Sequence, residues 1–399
     1  MMLRTLVAML SVVLGSRVMA GERIQRIEPN VRTGIASAVV VSHAALIHTE
    51  QIFAQPDAAG LKRQSAAVQL RNIMEQARSL LTIAHASEIV KVNLYAVSDT
   101  VAAELWDEFP TVFIQTSQPA VSMVVTHLPV ADALVGVDFV ACQNAGTQAS
   151  HARNTQFASL PSGARIYVSG QAEQSESLAE ATRNTLESLH RTLEFLGRSD
   201  DDIVQLKAFV TPMSDFAVVR AEVQKFFEGK LPPPLVLVEW ESTRLVPIEI
   251  ELIAAGGSYL RDAPSMEFLT PPGMKASPVY CRVCRINHPS TVYVSGLYST
   301  HDRIANPDAT ANGDLEVENI FVTLRRILNL AGSDFSHLAK ATYYVSTEAA
   351  STSLNKLRPA FYDPSRPPAA SKAFVGSTGI EALGLTLDMI AVPTTSPSE

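Results

Sequence analysis

One local pattern occurs three times in this chain, and its spacing constrains the fold more than any other feature. Residues 89–95, 203–209 and 338–344 read IVKVNLY, IVQLKAF and LAKATYY. In each copy a proline lies 30 residues after the first residue of this stretch, at positions 119, 233 and 368. Two features that far apart do not readily keep register by chance. The spacing therefore predicts three copies of one structural unit.

The second copy shows the order of elements most clearly. Residues 166–171 form a β-rich segment with a small-residue turn, and four leucines between Leu186 and Leu196 then recur at helical spacing. Gly197 follows, as expected of a residue that ends a helix with a positive φ. The remaining elements are predicted as a strand at 203–210, a helix at 216–227, and strands at 235–240 and 246–253. The order β-α-β-α-β-β predicts an α+β unit.

The chain is predicted to divide at its Gly/Pro-rich and polar segments. The predicted parts are a signal peptide at 1–20, a divergent unit 1 at 30–142, unit 2 at 150–255, a linker at 256–275, unit 3 at 276–392 and a disordered tail at 393–399. In the first part, Arg4 precedes an apolar run, and Val18 and Ala20 suit signal-peptidase cleavage. We expect an exported protein with no membrane contact after cleavage; an uncleaved anchor or a misassigned start are the alternatives.

Composition argues against several classes of partner. The net charge of −8 comes without a basic run, which disfavours a nucleic-acid partner. The nine histidines form no metal-binding spacing, so neither a metal nor another cofactor is expected. Cys142, Cys281 and Cys284 are too few for a disulfide framework. The last two could be a redox pair, but buried thiols on a strand are the better interpretation.

The motifs of unit 2 resemble the Rid/YjgF family, whose members are also described as endoribonuclease L-PSP or enamine/imine deaminases. The similar segments are IYVSGQ at 166–171, ATRNTL at 181–186, VE at 238–239 and IEIE at 248–251. The resemblance is close in unit 2, fair in unit 3 and faint in unit 1. In unit 1, Thr49-Glu50-Gln51 is aligned with Ser169-Gly170-Gln171, so the turn glycine is missing.

The resemblance implies a fold and an assembly. Family members have a chorismate-mutase-like fold, a mixed sheet with two helices on one face. They form homotrimers with a ligand cleft at each subunit boundary. Three units in one chain therefore predict an intramolecular pseudo-trimer, monomeric in solution, that binds a small molecule at its inter-unit clefts.

The resemblance also implies candidate site residues. The family's deaminases hold a substrate carboxylate with an arginine at a position occupied here by Val121, Leu235 and Ala370. A glutamate that orients the attacking water corresponds to Glu249, with Gly136 and Thr386 at the equivalent positions of units 1 and 3. The predicted catalytic residues are Glu249, Ser371 and Lys372, and the predicted substrate-binding residues are Ser122, Ser169, Gly170, Ser295, Gly296 and Thr386.

Lys372 is the candidate substitute for the missing arginine. It lies two residues after Ala370, and residues i and i+2 of a strand share a face. An ammonium group can hold a carboxylate, although as a point charge rather than as a fork. A solvated sheet edge is the alternative position for this side chain.

Three functions follow from these observations. Loss of the anchor arginine from all three units favours a ligand-binding or scaffold protein. The alternative is a divergent hydrolase of enamines, imines or related small carboxylates, which Glu249, Ser371 and Lys372 motivate. Endoribonuclease activity ranks last, because no basic surface run or catalytic histidine pair accompanies it.

Overall fold

A computed structural model describes residues 23–58, 60–113, 118–146, 153–299 and 313–395. The predicted signal peptide, residues 306–312 of a predicted loop and the last four residues of the predicted tail lie outside this part of the chain. None of the helices in the described part combines the length and apolarity needed to cross a bilayer.

The described residues contain eighteen strands and six α-helices. The strands are β1 (Ile24–Asn30), β2 (Ile35–Ser42), β3 (Leu46–Thr49), β4 (Ile52–Phe53), β5 (Ala86–Ala96), β6 (Ala120–Val125), β7 (Val135–Gln143), β8 (Phe157–Leu160), β9 (Ala164–Gln171), β10 (Ile203–Val210), β11 (Leu235–Glu239), β12 (Ile248–Gly257), β13 (Met266–Leu269), β14 (Val283–Ile286), β15 (Ser290–Val294), β16 (Leu338–Val345), β17 (Ala369–Phe374) and β18 (Leu385–Ala391). The helices are α1 (Ala66–Ile83), α2 (Asp99–Phe113), α3 (Leu178–Phe195), α4 (Phe216–Phe226), α5 (Gly313–Leu330) and α6 (Glu348–Leu357).

The strands form three mixed sheets, each with a pair of helices packed on it. Sheet 1 has the order β6-β5-β7-β3-β8, with β4 also paired to β7; sheet 2 has the order β11-β10-β12-β9-β14-β13; sheet 3 has the order β1-β2-β15-β18-β16-β17. One buried apolar cluster lies between α1, α2 and sheet 1, a second between α3, α4 and sheet 2, and a third between α5, α6 and sheet 3. The predicted α+β fold of three chorismate-mutase-like units is confirmed.

Helix α3 shows how local sequence sets these elements. Its N-cap, Ser177, accepts a hydrogen bond from the Glu180 amide, and its predicted leucines face the core. Gly197 has φ 66°, the left-handed conformation that ends the helix. The chain can therefore turn directly into β10.

Strand register confirms the alignment of the three units. Val121, Leu235 and Ala370 each pair in parallel with the matching residue of the preceding long strand, at Val92, Leu206 and Ala341. On the other side of that long strand, Gly136, Glu249 and Thr386 pair with equivalent aromatic residues, Tyr95, Phe209 and Tyr344. The positions that the repeat predicted to be equivalent are equivalent in space.

The leading strand of each unit does not stay with its own sheet. Strand β8 of unit 2 pairs with β3 of unit 1, and β14 of unit 3 pairs with β9 of unit 2. Strand β2, near the start of the described chain, pairs with β15 of unit 3. The exchange is therefore cyclic, and it connects the first unit to the last. The predicted linker, 256–275, contains β13, which pairs with β14 at the edge of sheet 2.

This exchange corrects one detail of the predicted alignment. The Ser169 amide donates to the Arg282 carbonyl, and the Glu50 amide donates to the Gln156 carbonyl of the equivalent leading segment. Glu50 and Gln51 thus stand at the positions of Ser169 and Gly170, one residue away from the predicted match. The alignment was wrong because unit 1 has no turn glycine to mark the position. Gln51 occupies it instead.

A common core lies between the three sheets. One buried apolar cluster includes Val140 of sheet 1, Tyr167 of sheet 2 and Tyr293 of sheet 3, and another contains Tyr95, Phe209 and Tyr344. Buried charges lie within this core, and the ion pairs among them cross unit boundaries. They are Lys91 with Asp388 at 2.8 Å and Lys340 with Glu251 at 2.8 Å, accompanied by Lys207 and Asp138. We call these six residues the axial charge cluster.

Candidate functional site

A cleft between sheets 2 and 3 brings together four of the nine predicted site residues. We call it cleft 2–3; its cavity has a volume of about 300 Å³. It is lined by Gly170, Ala172, Glu249, Tyr280, Arg282, Tyr343, Arg358, Ala370, Ser371 and Lys372. All three predicted catalytic residues are among them. Their roles stay predictions, but their meeting in one cleft is an observation.

Glu249 reaches this cleft because of a missing side chain opposite it. Glu249 lies near the start of β12, and Gly170 lies near the end of β9. A Cβ built on Gly170 would stand 1.9 Å from Glu249 Oε1 and 2.3 Å from its Cδ. No residue other than glycine leaves room for the carboxylate in this position. The glycine of the Ser-Gly pair in unit 2 is therefore explained by the glutamate packed against it.

Two serines hold the walls of the cleft together. Ser371 is buried, accepts a hydrogen bond from the Gly170 amide at 3.1 Å and lies close enough to Glu249 to act on the pKa of its carboxyl group. Ser169 donates to the Cys281 carbonyl at 2.6 Å and accepts from the Ala370 amide at 2.7 Å. Each serine thus bridges units 2 and 3. Ser169 is saturated by backbone groups, whereas Ser371 touches the carboxylate.

The Glu249 carboxyl titrates near neutrality. Burial and the neighbouring Glu251 raise its pKa from 4.5 to about 7, against the opposing effects of Ser371 and Arg282. A carboxyl group with a pKa near the working pH can both accept and donate a proton, which is the property of a general acid/base. The site therefore holds a group suited to proton transfer.

A Gly170→Ala substitution is expected to expel the Glu249 side chain from its position. The added Cβ meets the mobile end of the side chain rather than backbone, so the unfolding temperature should change little. The freed carboxyl should gain solvent, and its pKa should fall toward its ordinary value. NMR titration of labelled glutamate carboxyl groups measures this. Gly376→Ala is the control, since its Cβ would lie 3.6 Å from the nearest atom, the Val125 carbonyl oxygen; an unshifted Glu249 pKa in Gly170→Ala would contradict the prediction.

Lys372 lies in the cleft, half-buried, rather than on a fully solvated edge. Its Nζ donates to Ser351 Oγ at 3.1 Å and to Asn355 Oδ1 at 3.4 Å. Burial and the nearby Arg358 lower the pKa of the Lys372 ammonium. The lysine is thus held on the unit 3 wall.

The sequence did not indicate two arginines that share this cleft. The Arg358 guanidinium lies over the Tyr343 ring, 5.3 Å from its centroid, and Arg282 lies over the Tyr280 ring at 5.1 Å. Arg282 comes from the Cys-Arg-Val-Cys segment, where the cysteines drew attention, and only the strand exchange brings it to unit 2. Arg358 directly follows α6 and precedes a proline. No local motif marks either residue.

The equivalent cleft between units 1 and 2 is filled by side chains. Gly136 stands where Glu249 stands in unit 2, and a Cβ there would lie 2.8 Å from the Phe53 ring. The Gln51 side chain packs beside it and accepts a hydrogen bond from the Leu237 amide at 3.3 Å. Phe53 and Gln51 thus take the space that the Glu249 carboxylate takes in cleft 2–3.

The remaining predicted binding residues lie at the boundary of units 3 and 1. Ser295 donates to the Ala36 carbonyl at 2.7 Å and accepts from the Val121 amide at 2.8 Å. Ser122 accepts from Lys91, and Thr386 donates to the Leu297 carbonyl at 3.1 Å. A Cβ on Gly296 would stand 3.1 Å from the Ser122 Cα. These hydroxyl groups are engaged within the protein, and none meets a carboxylate like Glu249.

Comparison with known proteins agrees with this geometry. Residues 148–256 match the profile of the family described as Endoribonuclease L-PSP. The YjgF gene product of E. coli is 31% identical over 81% of its own length and 23% of this chain, with a TM-score of 0.22. The chain belongs to the Rid/YjgF family. No curated protein sequence matches it.

Two further solved structures are similar to parts of this chain of different length. E. coli TdcF, solved with bound serine, is 25% identical over 81% of its length and 23% of this chain, with a TM-score of 0.22. A chorismatase is 12% identical, and the match covers 93% of it and 76% of this chain, with a TM-score of 0.26. The Rid profile falls on unit 2, which supplies Gly170 and Glu249 to cleft 2–3.

Proposed function

We propose that this Rid-family chain is a hydrolase of small imine or enamine carboxylic acids, acting at cleft 2–3. The observation that supports it is the convergence of Glu249, Ser371 and Lys372 with two arginines in one cavity of about 300 Å³. That volume suits a small molecule rather than an RNA strand. We further propose that the three units stand in for the subunits of a trimer, and that the chain is exported, as residues 1–20 predict.

Substrate binding in this proposal relies on cations other than the family's arginine. Ala370 occupies the expected anchor position, and Lys372 follows it on the same face of β17. Arg358 lies close enough to lower the pKa of Lys372. A guanidinium group and an ammonium group together offer a carboxylate both a fork and a point charge. The α-carboxylate of the substrate would lie against this pair.

The chemical step needs only a proton shuttle. In its ionised form Glu249 takes a proton from a water molecule as the water oxygen bonds to the C=N carbon, and it then passes that proton to the nitrogen, which gives a carbinolamine. Glu249 next takes the proton of the carbinolamine hydroxyl group and passes it to the nitrogen as the C–N bond breaks with its electron pair on nitrogen. A C=O bond forms, and ammonia leaves. One water is consumed for each carbonyl product and each ammonia, with no oxidation or reduction. Ser371, whose hydroxyl group opposes the rise of the Glu249 pKa, would orient the carboxylate.

A ligand-binding protein without catalysis is the second candidate. It is supported by Phe53 and Gln51, which fill the equivalent cleft of units 1 and 2. In this candidate function, unit 1 serves as a scaffold that supports the cleft between units 2 and 3. Cleft 2–3 would then retain a carboxylate ligand instead of hydrolysing it.

Ammonia release from freshly generated 2-aminoacrylate tests the proposed function. The purified chain without residues 1–20 is expected to release ammonia faster than buffer at pH 8, because Glu249 is then mostly ionised. An equal amount of serum albumin controls for nonspecific acceleration. Release no faster than albumin, from a folded protein and across a panel of imines, would leave the ligand-binding candidate.

A further inference from the structure

Cleft 2–3 holds more positive charge than one carboxylate ligand needs. Arg282, Arg358 and Lys372 line it together with a single carboxyl group, Glu249, which is only partly ionised at neutral pH. The cleft therefore carries a charge between +2 and +3. A monocarboxylate substrate would leave at least one of these cations uncompensated in a half-buried cavity. Such a state is costly in electrostatic free energy.

No ion pair within the described residues involves any of these three cations. On β14, Arg285 forms an ion pair with Glu267 at 3.4 Å, whereas Arg282, one residue before that strand, has no such pair within the described residues. Neither Arg358 nor Lys372 takes part in an ion pair of the described residues either. Arg358 Nε is buried and has no hydrogen-bond partner there. Among the residues that line the cavity, only the partly ionised Glu249 offsets these three cations, so an anionic ligand would be needed to neutralise the rest.

The cations belong to two different walls. Arg358 and Lys372 lie on the unit 3 side, where Lys372 is opposite Tyr343 in the register of β17 and β16. The Arg282 backbone is hydrogen-bonded to Ser169 of sheet 2, and its charge acts on Glu249. An anionic group held by Arg358 and Lys372 uses the cations of one wall only. A second anionic group on the same small molecule would pair with Arg282 on the other wall.

We propose that the substrate of cleft 2–3 is a small imino or enamino dicarboxylic acid. Arg358 and Lys372 hold the carboxylate next to the C=N carbon, and Arg282 holds the second carboxylate on the wall of sheet 2. The reaction is the balanced hydrolysis given above, so the product is a keto dicarboxylate and ammonia. This inference rests on the proposed function for the reaction, but the two-anion site can be tested separately.

The decisive experiment compares two substrates of nearly equal shape. Imines are generated in situ from aspartate and from asparagine by flavin-dependent amino-acid oxidases, and their loss is followed by semicarbazide trapping. The aspartate-derived imine has a side-chain carboxylate where the asparagine-derived imine has an amide. The aspartate-derived imine is expected to be hydrolysed with a kcat/KM at least about 10-fold higher, since a charged hydrogen-bonded pair contributes about 10- to 100-fold in binding.

The Arg282→Gln variant tests whether Arg282 causes the preference for the aspartate-derived imine. The variant should lose about 10- to 100-fold in kcat/KM for the aspartate-derived imine, mainly through KM, and should change little for the asparagine-derived one. Arg261→Gln removes an exposed arginine outside the cleft and serves as the matched control. Should Arg282→Gln fail to fold, the substrate preference of the unaltered chain decides alone.

The possible outcomes distinguish the dicarboxylate inference from the proposed hydrolase function on which it rests. Equal rates on the two imines would overturn the dicarboxylate inference and leave imine hydrolysis standing. If neither imine reacts faster than in buffer, the hydrolase proposal fails, and calorimetry with succinate and succinamate then tests the site itself. Tighter binding of succinate that Arg282→Gln abolishes would support two anion-binding walls. Equal binding, or no binding of either, would overturn them.

Discussion

A Glu249→Gln variant is expected to lose about 10²- to 10⁴-fold in kcat/KM for imine hydrolysis, the range associated with loss of a general acid/base. Glutamine keeps the shape and the contact with Gly170 but cannot take a proton from water. The fold should be unaffected, because the amide can still hydrogen-bond Ser371. Ammonia release at several substrate concentrations measures the loss. Glu187→Gln, an exposed change on α3, is the matched control.

The pH dependence of the unaltered chain provides a second measure of the same residue. The base is the ionised form, and the Glu249 pKa is raised to about 7, so activity should increase as pH rises from 6 to 8. An ordinary carboxyl would already be ionised throughout that range and would give a flat profile. The residual activity of Glu249→Gln should lack the increase near pH 7. A variant that keeps both its rate and this profile would show that another group activates the water.

The repeat made most of the fold predictable. The strand at 203–210 and the helix near 216–226 have the observed bounds or differ by one residue, because apolar periodicity and prolines mark their ends. The equivalence of Val121, Leu235 and Ala370 also held, since parallel pairing with a repeated strand transmits the repeat into three dimensions. The sequence did not say which units meet at a boundary, so the meeting of Glu249, Ser371 and Lys372 in one cleft was learned from the structure.

The exchange of leading strands was not predictable from this sequence. A strand such as β14 satisfies its backbone hydrogen bonds equally well on its own unit or on a neighbour, because main-chain pairing does not depend on side-chain identity. The choice is made by tertiary packing. Arg282 was missed for this reason, as it reaches cleft 2–3 only through the exchange. Sequence patterns describe a strand's faces, but not which edge it joins.

The axial charge cluster was also missed, although a signal existed. Lys91 and Lys340 occupy the same position of the repeated stretch, where the surrounding residues are apolar. A charge repeated at one position of an otherwise buried strand predicts a buried ion pair, provided that a partner strand carries the opposite charge. Asp388 and Glu251 are those partners, and they are equivalent to each other and to Asp138.

An Asp388→Asn variant is expected to lower the free energy of unfolding by about 3–5 kcal/mol, the usual effect of breaking a buried ion pair. The substitution conserves volume but leaves the Lys91 ammonium without its counterion, with only Ser122 Oγ at 2.7 Å and the Val294 carbonyl at 2.8 Å as hydrogen-bond partners. Lys91 and Asp388 are both buried, so bulk solvent does not restore the charge compensation that the carboxylate gives. Denaturant unfolding followed by circular dichroism measures the change.

The direction of the pH effect distinguishes an unpaired charge from a simple packing defect. Burial lowers the pKa of Lys91 below its ordinary value, although Asp388 opposes that shift. Without Asp388, the folded chain binds this proton still more weakly than the unfolded chain does. Stability of Asp388→Asn should therefore increase with pH up to the ordinary lysine pKa. A packing defect would give a loss that does not change with pH.

Two controls test whether the cost comes from the unpaired lysine. The double variant Lys91→Met/Asp388→Leu removes both charges and should recover most of the loss, because an apolar pair can replace a buried ion pair at little cost. Asp201→Asn breaks the exposed pair with Lys230, 2.8 Å long, and should cost about 1 kcal/mol or less. If the double variant were as unstable as Asp388→Asn, the axial charges would be stabilising as a connected set. The units would then be held together by all six residues of the axial charge cluster rather than by separate ion pairs.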